Sequence, residues 1–153
     1  MYAPCWLMNI FFDVDETIMG YDGSLRPLVH ETFQVLVDAG HRIYIWSGVR
    51  TGDLVRTEVV ERHGLQAFVT DCFQKPRFDY LEQWQRSGVA VQPDFIVDDY
   101  PDIVEAFGGI LIKPYTHRAQ PDADLERVRA AIQAAAPGAG SLPSDATLIK
   151  PGA

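Results

Sequence analysis

A chain of 153 residues, 47% of them hydrophobic and 22% charged, has the length and composition of one domain with a full core. Its formal charge of -8 and pI near 4.8 speak against nucleic acid or anionic lipid as a partner, because phosphate-backbone binding needs clustered Lys and Arg. Cys5 and Cys72 match no metal or redox spacing, the apolar start MYAPCWLMN lacks a basic region, and no apolar run reaches the roughly 18 residues of a membrane span. The expectation is a cytoplasmic protein without membrane contact.

The first predicted element is a strand over residues 8–14, MNIFFDV, continuously apolar and therefore buried on both faces. Residues 27–40, PLVHETFQVLVDAG, follow as a helix with Pro27 in its first turn, Val29, Phe33, Leu36 and Val37 on one face, and Gly40 as its stop. RIYIW, 42–46, reads as a second strand, TGDLVRTEVVERHG, 51–64, as a second helix closed by Gly64, and QAFVT, 66–70, as a third strand. RFDYLEQWQRSG, 77–88, is a third helix with Tyr80, Leu81 and Trp84 inward. DFIV, 94–97, is a fourth strand, PDIVEAFG, 101–108, a short helix, and GILI, 109–112, a fifth strand. DADLERVRAAIQAAA, 122–136, is an amphipathic helix that closes a domain spanning 1–136. Residues 137–153, rich in Pro, Gly and Ser and without a helical period, read as an irregular C-terminal tail.

Strands alternating with helices predict an α/β fold, a Rossmann-like three-layer sandwich around a central parallel sheet of about five strands with right-handed crossovers. Sites in such sheets form at the C-terminal ends of the strands. There the first strand ends in Asp13-Val14-Asp15-Glu16-Thr17, the second in Ser47-Gly48, the third runs into Lys75-Pro76, and the fourth ends in Asp98-Asp99. Convergence of these four sets on one edge predicts a site for an anion together with a cation.

Residue types supply the chemistry. The Asp13 carboxylate can attack a phosphoryl group and hold it as an aspartyl phosphate. Two residues along an extended chain, Asp15 lies about 6–7 Å away on the same side, in reach of the leaving group as general acid and then as base toward water. Other carboxylates around it would favour its protonated form. The Ser47 hydroxyl and Lys75 ammonium would bind the equatorial phosphoryl oxygens, with Thr17 and Gly48 beside them. Arg50, in WSGVR, falls near the mouth as a candidate receptor for a second substrate anion. Repulsion among Asp13, Asp98 and Asp99 calls for a cation, and an all-oxygen set of this kind favours Mg²⁺.

Taken together, DVDET, YIWSG, QKP and IVDDYPD resemble, in order and spacing, the four motifs of the haloacid-dehalogenase superfamily, over residues 9 to about 112. The resemblance implies a Mg²⁺-dependent phosphomonoester hydrolase with Asp13 as nucleophile and Asp15 as acid/base. It also implies that Mg²⁺ is held by Asp13, the main-chain carbonyl of Asp15 and an acid of the fourth motif. That acid is Asp99 if Asp98 takes the motif's small-residue position, and Asp98 if Val97 does. Only 29 residues separate Thr17 from Ser47, and 27 separate Ser47 from Lys75, too few for the family's cap domains but enough for its hairpin flap over residues 19–27, with Asp22-Gly23 at the turn. A capless site would accept a phosphorylated small molecule or an exposed phosphoryl group on something larger, and leaves room for a homodimer partner above it. Three rival readings are a dehalogenase of the same superfamily, a phospho-acceptor signalling domain and a catalytically silent binding module; Asp15 argues against the first, the late acidic pair against the second, and the intact Asp13, Asp15, Ser47, Lys75 and Asp99 against the third.

Overall fold

The computed structural model describes residues 7–135 and 148–149; Cys5, Trp6 and the rest of residues 137–153 lie outside them. Strands β1 (Asn9–Asp13), β2 (Arg42–Ser47), β3 (Val69–Gln74), β4 (Phe95–Asp98) and β5 (Gly109–Leu111) alternate with helices α1 (Val29–Asp38), α2 (Gly52–Val55), α3 (Tyr80–Arg86), α4 (Pro101–Phe107) and α5 (Asp124–Ala135). The five strands are parallel and ordered β3-β2-β1-β4-β5. The expected Rossmann-like arrangement is present, and among the described residues no cap domain interrupts it.

Hydrophobic alternation explains the three layers. On β1, Ile10 and Phe12 enter one core with Phe33 and Leu36 of α1 and with Val128 and Ile132 of α5. Phe11, between them, enters the opposite core with Tyr44, Trp46, Trp84 of α3 and Phe107 of α4. A central parallel strand is buried on both faces, which is why NIFF reads as an unbroken apolar run. Phe11 meets Tyr44 and Trp46 at ring centroid distances of 4.8 Å each, and truncating such a ring to Ala costs about 3–5 kcal/mol.

Several expectations are corrected. β3 lies at Val69–Gln74 rather than 66–70. Leu65 is fully buried and its carbonyl accepts from Phe68 and Val69, so residues 65–68 form a turn. β3 is also the sheet's edge, where polar Thr70 and Asp71 are tolerated and mask the strand pattern. The second helix is a short α2, N-capped by Thr51, that passes into a π-helical stretch, Arg56–Glu61; the wider turn keeps Val55, Val59 and Val60 on the buried face. α1 begins at Val29, after Leu28 in the left-handed region, so Pro27 precedes the helix. In α3, Trp84 is buried while Leu81 is exposed: Tyr80 and Trp84 are spaced i, i+4, and Leu81 is rotated about 100° from Tyr80 around the axis. The C-terminal segment is not wholly irregular, since Leu148–Ile149 forms β6, antiparallel to β5. Two residues are too few to announce a strand by pattern.

Among the described residues no helix is long and apolar enough to cross a membrane.

Candidate active site

The strand order reverses direction between β1 and β4, so a crevice opens where their C-terminal ends diverge toward neighbours on either side. Register fixes what meets there. Phe12 pairs with Val97 and Asp13 with Trp46, so Asp13 lies alongside Asp98 on one flank and just short of Ser47 on the other. Ser47 pairs with Gln74 and its carbonyl accepts from the Lys75 amide at 2.8 Å, which delivers Lys75 to the same edge.

The Lys75 ammonium stands 2.8 Å from Asp13 Oδ1 and 2.9 Å from Asp98 Oδ2. Asp98 is fully buried, and its Oδ1 accepts from the Tyr100 amide at 3.0 Å, so both of its oxygens are engaged. Beyond β1 the chain tightens: the amides of Thr17, Ile18 and Met19 all donate to the Val14 carbonyl, with Glu16 at a positive φ of 62°. That turn buries Thr17 completely and puts its hydroxyl 3.2 Å from Asp13 Oδ2 and 3.3 Å from Asp99 Oδ1. Thr17, expected to touch substrate, braces the two carboxylates.

Three acids in one crevice perturb one another. Burial first, and then the Asp99 charge, raise the Asp13 carboxyl to about 6 against the pull of Lys75. Burial also raises Asp98 to about 6, with repulsion from Asp13 adding to it, and raises Asp99 to about 6, with Asp98 adding. Burial works against the charge on Lys75, but the attraction of Asp13 and Asp98 exceeds it and its pKa rises. One oxygen from each of Asp13, Asp98 and Asp99 can be chosen so that all lie within 4.8 Å of one another. Three carboxylates face a single ammonium, so the donor set is all oxygen and carries excess negative charge, which suits a hard divalent cation.

Asp15 and Arg50 depart from expectation. Asp15 is exposed and its Oδ2 is paired with Arg50 Nη1 at 2.9 Å, so its nearest charged neighbour is a cation rather than the expected carboxylates. The same guanidinium uses Nε to hold Glu58 at 3.0 Å. Arg50 does lie at the mouth, but it is spent on two carboxylates. Ser47 is fully buried, with Oγ accepting from the Val49 amide at 3.2 Å. The Gly48 carbonyl accepts from Arg77 Nε at 2.8 Å.

The expected hairpin flap is present. Met19 bridges Leu25 in antiparallel fashion, and Gly23 at the turn has φ 79°. Sequence reasoning did not foresee how it is secured. Arg26 is 1% exposed, and its Nε and Nη2 meet both oxygens of Asp122 at 2.7 and 2.6 Å, while Nη1 and Nη2 donate to the carbonyls of Thr17 and Lys113. Ser24 Oγ lies 2.8 Å from the Tyr115 hydroxyl, and the Tyr21 amide donates to the Thr116 carbonyl. The packing is so close that a Cβ on Gly20 would lie 2.6 Å from the Thr116 oxygen. No local pattern signals these contacts, because Arg26 and Asp122 lie 96 residues apart.

No family model, curated protein or solved structure matches this chain. The functional reading therefore rests on the residues themselves.

Proposed function

We propose that the chain is a Mg²⁺-dependent phosphomonoester hydrolase of the haloacid-dehalogenase type, working through an aspartyl phosphate on Asp13. The observation that carries this reading is the Lys75 ammonium bridging Asp13 and Asp98 beside Ser47 and Asp99, at the switch point of a parallel sheet. A structural salt bridge alone would not call for the third acid or for the hydroxyls of Ser47 and Thr17 around it.

In this reading an Asp13 oxygen forms a bond to phosphorus as the bond to the leaving oxygen breaks, and Asp15 gives that oxygen its proton. Asp15 then takes a proton from water as the water oxygen attacks phosphorus, releasing inorganic phosphate and restoring the Asp13 carboxylate. Lys75 and Ser47 bind the equatorial oxygens where charge gathers. The Arg50–Asp15 ion pair would have to open for Asp15 to carry a proton to the leaving oxygen. Asp98 orients Lys75, and Asp13, Asp99 and the Asp15 carbonyl would hold Mg²⁺. When bound, the ion supplies the positive charge that lets a phosphate dianion approach these carboxylates.

The substrate is a phosphorylated small molecule or a phosphoryl group exposed on a larger one, in a cytoplasmic setting, and a second copy of the chain over the mouth would shield the site. Phosphate release from an aryl phosphate and a panel of metabolite phosphates, with Mg²⁺ and with chelator, tests the reading beside Asp13→Asn. Metal-dependent turnover that the substitution abolishes is expected. Turnover that survives either chelation or the substitution would overturn it.

A further inference from the structure

Beside the Lys75 ammonium a recess of about 230 Å³ opens between the ends of β2, β3 and β4. Gly48 and Lys75 line it, so it shares two residues with the candidate phosphoryl site; Arg77, Tyr80, Tyr100 and Ile103 are also in its wall. Its floor is apolar, Ile103 being 1% exposed. Tyr100 stands 55% exposed at its edge, an aromatic face with little to cover it.

Arg77 is the one unneutralised cation in this wall. Lys75 is engaged by two carboxylates. Arg77 instead is held through Nε on the Gly48 carbonyl, at 2.8 Å, and through its amide on Gln83 Oε1, at 3.2 Å. Among the described residues it has no carboxylate partner, as Arg42, Arg62, Arg118 and Arg129 also have none, whereas Arg26, Arg50, Arg56, Arg86 and Arg127 are ion-paired. A guanidinium anchored by Nε presents its remaining donors in a fixed fork, the geometry that carboxylate and phosphate groups match. On a chain of net charge -8, Arg77 thus sets an anchored guanidinium without a carboxylate partner beside the candidate phosphoryl site.

We propose that this recess is the leaving-group subsite, and that the substrate is a phosphomonoester of an aromatic alcohol bearing a second anionic group. The ring lies against Tyr100 over the apolar floor, and the second anion meets Arg77. The assignment rests on the phosphatase reading above and adds the class of leaving group to it.

The test compares phenyl phosphate with meta- and para-carboxyphenyl phosphate on the wild-type chain, R77Q and Y100A in Mg²⁺. At least one carboxylated ester should exceed phenyl phosphate in kcat/KM by about tenfold, as a charge-assisted bidentate contact provides. That ratio should collapse toward one in R77Q. Y100A should weaken all three esters and keep the ratio. Equal kcat/KM for the three esters on the wild-type chain, or a preference that survives R77Q, would overturn the subsite. Equilibrium binding of the same esters to D13N, with and without R77Q, separates the two readings. Arg77-dependent preference in binding without any wild-type turnover would keep the subsite and sink the phosphatase. Turnover without preference in either assay would do the reverse.

Discussion

Replacing Asp13 by Asn should make the metal-free protein more stable at neutral pH, although it removes a salt bridge. Burial lifts the Asp13 carboxyl from 3.8 to about 6 even with Lys75 beside it. Each tenfold change in proton affinity is worth about 1.4 kcal/mol, so ionising Asp13 in the folded chain costs about 3 kcal/mol relative to the unfolded chain at pH 7.5. A carboxamide keeps the shape of the protonated acid without the charge, and Lys75 retains Asp98. Imperfect hydrogen bonds on the new amide offset part of the gain, leaving about 1–2 kcal/mol, or a rise in Tm of about 3–6 °C for a chain of this size. Because the folded value lies above the unfolded one, the wild-type stability held by protonated Asp13 is fully present below about pH 4 and is lost as pH rises through about 6. The advantage of Asp13→Asn should therefore shrink by more than half between pH 7.5 and pH 4. Thermal melts in chelator at both pH values check this, and saturating Mg²⁺ should raise the wild-type Tm more than that of the variant. A variant that melts below wild type at pH 7.5, or whose advantage is independent of pH, would refute the reasoning.

Asp15→Asn should abolish turnover yet keep Mg²⁺-dependent binding of inorganic phosphate by calorimetry, because its proposed metal contact is main-chain; lost metal dependence would count against the acid/base role. Asp122→Ala strands a buried guanidinium and should lower unfolding stability in urea by about 3–5 kcal/mol, whereas a loss below 1 kcal/mol would mean that the carbonyls of Thr17 and Lys113 suffice for Arg26. Gly109→Ala places a Cβ 2.0 Å from the Ile96 carbonyl oxygen at φ 151° and should cost about 1–3 kcal/mol in the same assay; a neutral outcome would show that β5 can shift.

Elements buried on two faces were the ones legible in the sequence. β1 and β4 read correctly because a central parallel strand has no polar side to confuse the pattern, and the rule that sites gather at strand ends then brought Asp13, Ser47, Lys75, Asp98 and Asp99 together. β3 was misplaced because its edge position admits Thr70, Asp71 and Gln74, which look like a loop. Trp84 and Leu81 carry the same hydrophobic signal, and only the helix's rotation against the sheet decides which is buried. Around Asp15 the sequence misled for a different reason. The carboxylates near it in the chain were visible, but the partner it meets, Arg50, is brought there by the loop after β2 and is also tied to Glu58 eight residues on. Burial of Arg26 was illegible in principle, since nothing local distinguishes a charged residue awaiting a distant counter-ion from one at the surface.

That long-range pairing bears on the order in which the molecule assembles. A nascent chain has emitted Asp13, Ser47, Lys75 and Asp99 before it makes the segment that secures the flap beside them. Until Lys113, Tyr115, Thr116 and Asp122 arrive, tucking Arg26 beneath the flap would desolvate a charge with no counter-ion, and such a step is unfavourable by several kcal/mol. Burial of Arg26 is therefore favourable only once the segment carrying Lys113 and Asp122 has joined it. The strand-end residues thus share their rim with the segment that follows β5, so the site depends on chain far from its own motifs.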